Sequence, residues 1–437
     1  MTQGDPAVSP NVVPQPDIDR SHAIPNFRWF ICALLFFATT VNYMDRMVLG
    51  ILKPVIAQDL HWTENQYGTI IACFQAGYAV MMLVAGWLID KLGTRIGYII
   101  SATVWSISSM SHALAGNAFQ FGLARLGLGL GEAANFPAAI KTVATWFPRR
   151  ERALATGVFN SGSNVGAVVA PLLVPIMAAR FGWHSAFLLT GSLSMLWVIL
   201  WSLTYREPDR HRRLSTEELA LIRSDQEETQ LHKVPYGQLL TKRAAWALIM
   251  GKFLTDPVWW FYLNWLPGFL HDNYKLDLTH IGPPLIAIYV SADVGSVGGG
   301  WISSSLITHN CPVGKARKIA MLICALAVTA AIFVPNAHGN LWLTVGLVSI
   351  AAAAHQGWSA NLYTIASDCF PKSAVGSVVG LAGFGGAVGG AFAAKAIGAW
   401  LNFSHEVYGP LFLAAGSMYL LALLVIQLLI PRYKMAS

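Results

Sequence analysis

The sequence predicts an all-α membrane protein of twelve transmembrane helices, arranged as two pseudo-symmetric six-helix halves. Three observations predict it. First, only 12% of the 437 residues are charged and 55% are hydrophobic, with a mean hydropathy of +0.50; soluble domains average about 25% charged residues. Second, a spanning helix needs about 20 mostly apolar residues. Stretches of that kind lie near 28–50, 66–89, 96–116, 119–141, 153–179, 184–204, 244–271, 282–307, 317–336, 340–366, 374–400 and 407–430. Third, the halves repeat. Phe147-Pro148-Arg149 closes the fourth stretch, as Phe370-Pro371-Lys372 closes the tenth. The same offset of 223 maps Gly157 to Gly380, Gly162 to Gly385, Val165 to Val388 and Gly166 to Gly389. A second echo pairs Gly86-Trp87-Leu88-Ile89-Asp90 with Gly300-Trp301-Ile302-Ser303-Ser304.

Taken in order, residues 1–27 are polar and Pro-rich and read as a disordered cytoplasmic tail without a cleavable signal. The N-terminal half covers 28–204 and the C-terminal half 244–431, with a short tail at 432–437. Between the halves, 205–243 is the one long polar stretch and reads as a cytoplasmic linker. Within it, Ser215 to Gln230 is expected to form a surface helix, with Ser215 as N-cap and Glu218 in the capping-box position. Charge sets the orientation. The outer loops hold only Lys53, Arg180 and Lys275, and most other Lys and Arg residues fall in inner segments. The positive-inside rule then places both termini in the cytoplasm. The net charge of +7 is thus an orientation signal, and with no basic domain outside the spans no nucleic-acid partner is expected. Five cysteines without paired spacing give neither a disulfide framework nor a metal motif. No nucleophile–base motif or phosphate loop is present, so neither an enzyme nor a cofactor is expected.

Ionisable residues inside apolar spans are the informative exceptions, since each costs at least about 2.5–3.5 kcal/mol in hydrocarbon. Asp45 and Arg46 stand side by side in the run Trp29 to Leu52, which is otherwise broken only by Asn42. A chain that keeps both there needs a polar path or site for them to face. In the fourth stretch, Ala124-Arg125-Leu126-Gly127-Leu128-Gly129-Leu130-Gly131-Glu132 puts Arg125 and Glu132 seven residues apart. That is nearly two turns, so both lie on one face about 10 Å apart, within reach of two long side chains. Arg125 can then hold Glu132 when it is ionised and another carboxylate when Glu132 is protonated, because low dielectric favours the neutral acid. The plainer alternative is a structural buried ion pair. Between the second and third stretches, Gly86, Asp90, Lys91, Gly93 and Arg95 form a Gly-rich charged loop. Asp90 can meet a helix N-terminus or Arg95, making a conformational latch; the alternative is a simple inner turn.

The loop Gly86-Trp87-Leu88-Ile89-Asp90-Lys91-Leu92-Gly93-Thr94-Arg95 resembles the signature loop of the major facilitator superfamily. Together with Asn42-Tyr43-Met44-Asp45-Arg46 and the Arg125–Glu132 element, the chain resembles that superfamily's anion:cation symporter family over about residues 25–432. The resemblance implies the major facilitator fold, alternating access by rocking of the halves, and proton-coupled import of organic anions, mostly sugar acids, across a bacterial cytoplasmic membrane. Carried over by position, Arg46 and Arg125 correspond to ligands of the substrate carboxylate, Asp45 and Glu132 to protonation sites, and Tyr43 and Tyr78 to hydroxyl donors toward the sugar.

Helix five (Phe159-Asn160-Ser161-Gly162-Ser163-Asn164) and helix ten (His355-Gln356-Gly357-Trp358-Ser359-Ala360-Asn361) look most like the hexuronate branch. They add Ser163, Asn164, Gln356, Trp358 and Asn361 as candidate substrate contacts. Aldonate and aldarate members often have Gln where Ser163 stands, and Asn in helix eleven where this chain reads Gly383-Phe384-Gly385-Gly386. The implied substrate is a hexuronate such as glucuronate or galacturonate; a linear sugar acid or another organic anion is the alternative. The expected partners are that small anion, protons and the lipid bilayer, with the chain acting as a monomer. Asp256-Pro257-Val258-Trp259-Trp260 reads either as a kinked helix in an interfacial aromatic belt or as aromatic walls for a sugar. His355 is read as a packing residue ahead of a proton carrier. Asp293 and Lys395 have no assigned role.

Overall fold

The computed structural model describes residues 23–224, 236–277, 280–337 and 339–432. The first half contains α1 (Phe27–Asp59), α2 (Glu64–Ser111), α3 (Ala118–Glu132), α4 (Asn135–Trp146), α5 (Arg149–Phe181) and α6 (Trp183–Thr204). Short helices α7 (Thr216–Arg223) and α8 (Tyr236–Leu239) lie in the linker. The second half contains α9 (Arg243–Asn264), α10 (Leu266–Tyr274), α11 (Gly282–Thr308), α12 (Val313–Val328), α13 (Leu341–Cys369), α14 (Lys372–Ser404) and α15 (Gly409–Leu429). Every stretch expected to span is helical. Among the described residues, eight segments are long and apolar enough to cross a membrane: α1, the first part of α2, α5, α6, α11, α12 with its 3-10 extension, α14 and α15. The other four expected spans are the second part of α2, α3 with α4, α9 with α10, and α13. They are short, broken or loaded with polar side chains.

The breaks have local causes. The second and third spans run through one element kinked at Gly93, whose φ of 76° only glycine adopts cheaply. The fourth span breaks directly after Glu132, at Ala133 and Ala134. The seventh breaks at Trp265, just ahead of Pro267, which cannot donate a helical N–H.

The internal repeat is visible in the packing. A Cβ on Gly162 would meet the Phe36 carbonyl oxygen at 2.4 Å, and one on Gly166 the Thr40 carbonyl oxygen at 2.4 Å. Gly385 and Gly389 stand in the same relation to Ile249 and Phe253. Glycines at matched positions therefore let α5 lie against α1 and α14 against α9, the close backbone approach that small residues provide in membranes. Across the halves, α2 packs on α14 and α5 on α11. The repeat exchanges these two contacts, because it maps α5 onto α14 and α2 onto α11.

At the end that the charge pattern assigns to the outside, three hydrogen bonds join the halves. The Tyr67 hydroxyl donates to the Asn264 carbonyl (2.7 Å), Trp265 Nε1 to Glu64 Oε2 (3.3 Å) and Lys395 Nζ to Thr69 Oγ1 (2.7 Å). Beside them Lys53 pairs with Glu64. The linker is tied to the first half. Ser215 Oγ accepts from the Glu218 N–H at 3.1 Å, as expected of an N-cap. The Glu218 carboxylate does not complete a capping box; it accepts from the N–H groups of Phe27 (3.0 Å) and Arg28 (3.1 Å) and from Arg28 Nη1 (2.8 Å). It is drawn to the exposed N–H groups of α1, where a carboxylate is favoured. The rest of the expected surface helix, residues 225–230, lies outside the described residues.

Matched packing gives a matched expectation. Gly166→Ala and Gly389→Ala should each destabilise the protein, by about 1–3 kcal/mol for an overpacked contact. Gly157→Ala, with nothing within 4 Å of its added Cβ, should be neutral or slightly stabilising. Thermal unfolding in detergent reads all three; a neutral Gly389→Ala beside a damaging Gly166→Ala would sink the equivalence.

Candidate functional site

Successive residues of a helix point about 100° apart, so α1 aims Asp45 and Arg46 at different neighbours. Arg46 turns to α3. Its Nε (2.9 Å) and Nη2 (2.8 Å) both donate to Glu132 Oε2. Glu132 is the last residue of α3 and only 1% exposed. Arg125, two turns earlier on α3 and equally buried, donates from Nη1 to the Arg46 carbonyl at 3.4 Å. The expected same-helix partnership is therefore corrected: Glu132 is held by Arg46, and Arg125 braces the backbone that carries Arg46. Two residues almost two turns apart on one axis are separated by that rise, whereas a neighbouring helix can bring its guanidinium alongside. Arg125 Nε and Nη2 and Glu132 Oε1 have no hydrogen-bond partner among the described residues. A second buried guanidinium thus sits beside the Arg46–Glu132 pair with spare donors, a donor set that matches an incoming carboxylate.

Aromatic rings surround Arg46. Its Cζ lies 5.1 Å from the Tyr43 ring centroid, 5.4 Å from Phe74, 5.1 Å from Tyr78 and 5.3 Å from Trp260. Phe74 also lies 5.9 Å from the Arg125 guanidinium. Ring faces hold a cation without neutralising it, so Glu132 is the carboxylate that pairs with Arg46. Trp260 belongs to α9, which makes the cluster a meeting point of the two halves. Asp45 turns the other way, toward α2 and α6, and accepts from Ser109 Oγ (2.5 Å) and Ser194 Oγ (2.7 Å). A hydroxyl can donate to a carboxylate or accept from a carboxylic acid, so this cradle suits both protonation states.

Of the predicted contacts, Tyr43, Asp45, Arg46, Tyr78, Arg125 and Glu132 are brought together. Ser163 bonds within α5, to the Asn160 carbonyl (2.7 Å) and Asn164 Oδ1 (3.2 Å). Gln356 is half-buried on α13. Trp358 is fully buried and edge-on to Tyr419 of α15. Asn361 donates to the Gly299 (2.8 Å) and Gly357 (2.9 Å) carbonyls at the α11–α13 crossing. His355 stacks on Trp259 (5.1 Å) and bonds the Tyr419 hydroxyl, a packed and hydrogen-bonded setting. In the loop, Lys91 lies over Trp87 (5.0 Å), and Arg95 Nη2 donates to the Ser202 carbonyl (2.7 Å); the Asp90 side chain is outside the described residues. Sequence reasoning missed Phe74, Gln75, Ser109 and Ser194, which look ordinary in an apolar helix. It also missed the Lys252–Asp256 ion pair of α9 (2.8 Å), for which two ionisable residues four apart in one span were the available signal.

The sequence model of the Major Facilitator Superfamily matches residues 35–394. The chain is 32% identical to a hexuronate transporter of Escherichia coli (strain K12), over 92% of this chain and 94% of that one. It is 34% identical to a galacturonate transporter of Dickeya chrysanthemi, over 64% and 82% of the two chains. It is 28% identical to a probable L-galactonate transporter of Escherichia coli (strain K12), over 87% and 85%. Among solved structures, a bacterial homolog to the human lysosomal transporter Spinster, inward-facing and occupied, superposes with a TM-score of 0.70 at 18% identity, over 94% and 96% of the chains. That last likeness concerns the fold.

The buried pair carries a stability expectation. Glu132→Ala leaves Arg46 without a counter-charge and should cost about 3–5 kcal/mol, read as a lower melting temperature in detergent. Ser194→Ala removes one of the hydroxyl donors to Asp45 and should cost about 1–3 kcal/mol. Equal melting temperatures for parent and Glu132→Ala would show that the pair is not structural.

Proposed function

The chain belongs to the major facilitator superfamily, a family of transporters, and from that premise we propose that it imports a sugar acid together with protons. The finer reading is a hexuronate such as glucuronate or galacturonate, taken up across the bacterial cytoplasmic membrane with both termini inside. The observation that carries it is the buried Arg46–Glu132 pair with a second buried guanidinium, Arg125, beside it whose Nε and Nη2 have no partner among the described residues. The relatives named for hexuronate and galacturonate support the choice of anion; the galactonate relative keeps a linear sugar acid as the second reading.

In the proposed cycle, protonation of Glu132 weakens its hold on Arg46. The substrate carboxylate then bridges Arg46 and Arg125, while Tyr43 and Tyr78 meet its hydroxyls. Asp45, cradled by two serines, is the second proton site. One proton entering with one anion leaves the charge of the group unchanged. Two protons with one anion carry a positive charge inward, which the membrane potential favours by ≈ 2.3 kcal/mol per 100 mV. Residues 28–204 and 244–431 are the rocking bodies, 205–243 joins them, and the Gly86–Arg95 loop with Asp90 and Lys91 is the inner latch. The hydrogen bonds of Tyr67, Glu64 and Trp265 between the halves support a role for that end as the outer gate.

Uptake of radiolabelled glucuronate and galacturonate into proteoliposomes, with and without an inward proton gradient, is the test. An overshoot that collapses with protonophore is expected; equilibration without overshoot would reject the coupling, and no uptake would pass the role to aldonates. Glu132→Gln should keep substrate exchange and lose accumulation. Accumulation at the parent level would remove Glu132 from the coupling. Arg125→Lys, which offers no fork, should lose most of its affinity, and near-normal binding would return Arg125 to a structural role.

A further inference from the structure

Lys252 and Asp256 stand four residues apart on α9, with Nζ 3.0 Å from Oδ1 and 2.8 Å from Oδ2. Trp260 is four residues further along, so all three lie on one face of the helix. That face looks to the other half, because Trp260 covers Arg46 of α1. The Lys252 ammonium also lies 4.6 Å from the centroid of Tyr363, a ring 39% exposed. Asp256 occupies space that only glycine leaves open: a Cβ on Gly386 would come within 2.1 Å of Oδ2. One turn along α14, Gly390 makes room for Gln75 and Trp260 in the same way. The buried Gln75 amide has no hydrogen-bond partner among the described residues. A buried ion pair is a poor stabiliser, and a span that keeps one usually keeps it for function.

We propose that Lys252 and Asp256 read the end of the substrate remote from its carboxylate, and that Asp256 excludes sugar acids carrying a second carboxylate there. The inference rests on the sugar-acid reading above. Asp256 is one helical turn, about 6 Å, from the tryptophan that covers Arg46, which suits the far end of a six-carbon acid. A compensated Lys–Asp pair offers donors and acceptors to neighbouring hydroxyls without net charge. A second carboxylate in that position faces the Asp256 oxygens, and such like-charge contacts are how a site rejects a competitor.

The test is competition against radiolabelled galacturonate binding to the purified full-length protein. Galactarate, with carboxylates at both ends, should compete at least about tenfold more weakly than galacturonate itself. In Asp256→Asn, which releases Lys252 to a second carboxylate, galactarate should gain about tenfold relative to galacturonate. A ratio unchanged in a variant that still binds galacturonate overturns the proposal. If Asp256→Asn does not purify as a folded protein, the neutral double variant Lys252→Met/Asp256→Leu decides. It should bind galacturonate about tenfold more weakly and discriminate less; parent-like affinity and discrimination overturn the proposal. A parent that binds neither acid removes the sugar-acid reading itself, an outcome distinct from an unchanged ratio.

Discussion

The interaction on which the rest depends is the pairing of Arg46 with Glu132 inside a chain that is otherwise apolar. A charge buried in this setting must be compensated, and the compensation here crosses from α1 to α3. That choice frees Arg125, which sits on the same helix as the carboxylate but spends one N–H on the Arg46 carbonyl. It also decides what the surroundings can be. Rings of Tyr43, Phe74, Tyr78 and Trp260 lower the cost of holding Arg46 without adding negative charge. Had carboxylates taken their places, nothing would remain to attract an anion.

A second constraint is that helices within each half must approach closely. Glycines meet it within each half, drawing α5 onto α1 and α14 onto α9 until backbone meets backbone. Between halves glycines bring backbones together too, Gly68 against the Ala394 carbonyl and Gly50 against the Leu263 carbonyl, each 2.4 Å from an added Cβ, and lighter contacts stand beside them. Single hydrogen bonds such as Tyr67 to Asn264 close one end, and Trp260 covers Arg46 from the opposite body. Each can be broken without unpacking a helix. Arg46 therefore loses its fourth ring whenever the bodies part there, so the environment of the charged cluster is linked to the position of the second half.

Much of this was legible in the sequence because hydrocarbon makes exceptions conspicuous. Asp45, Arg46, Arg125 and Glu132 stand out in apolar stretches, and two of the glycine pairs at the offset of 223, Gly162 with Gly385 and Gly166 with Gly389, fall where the helices cross. What spacing could not reveal is rotation. Seven residues place Arg125 and Glu132 on one face, but only the seating of α1 against α3 decides which arginine takes the carboxylate. The polar run of α13 similarly named Trp358 and Asn361 without fixing their directions. One packs on Tyr419, and the other ties α13 to α11. Ser109 and Ser194 were invisible for the opposite reason: a small hydroxyl in a helix carries no signal until an acid is placed beside it.

The packing also exposes a division of labour that the repeat alone conceals. Gly162 and Gly166 meet Phe36 and Thr40, while their counterparts Gly385 and Gly389 meet Ile249 and Phe253, an offset of 213 between α1 and α9. On that register Asp256 stands where Tyr43 stands, and Lys252 where Thr39 stands. One copy of the scaffold thus presents an aromatic ring to a positively charged neighbour and leaves donors of Arg125 unspent. The other presents a self-neutralised pair at the matching place. The two walls therefore differ in charge, with Arg125 donors unspent on one and a self-neutralised Lys252–Asp256 pair on the other. The repeat thus keeps the glycine crossings of the two halves alike while the buried residues beside those crossings differ.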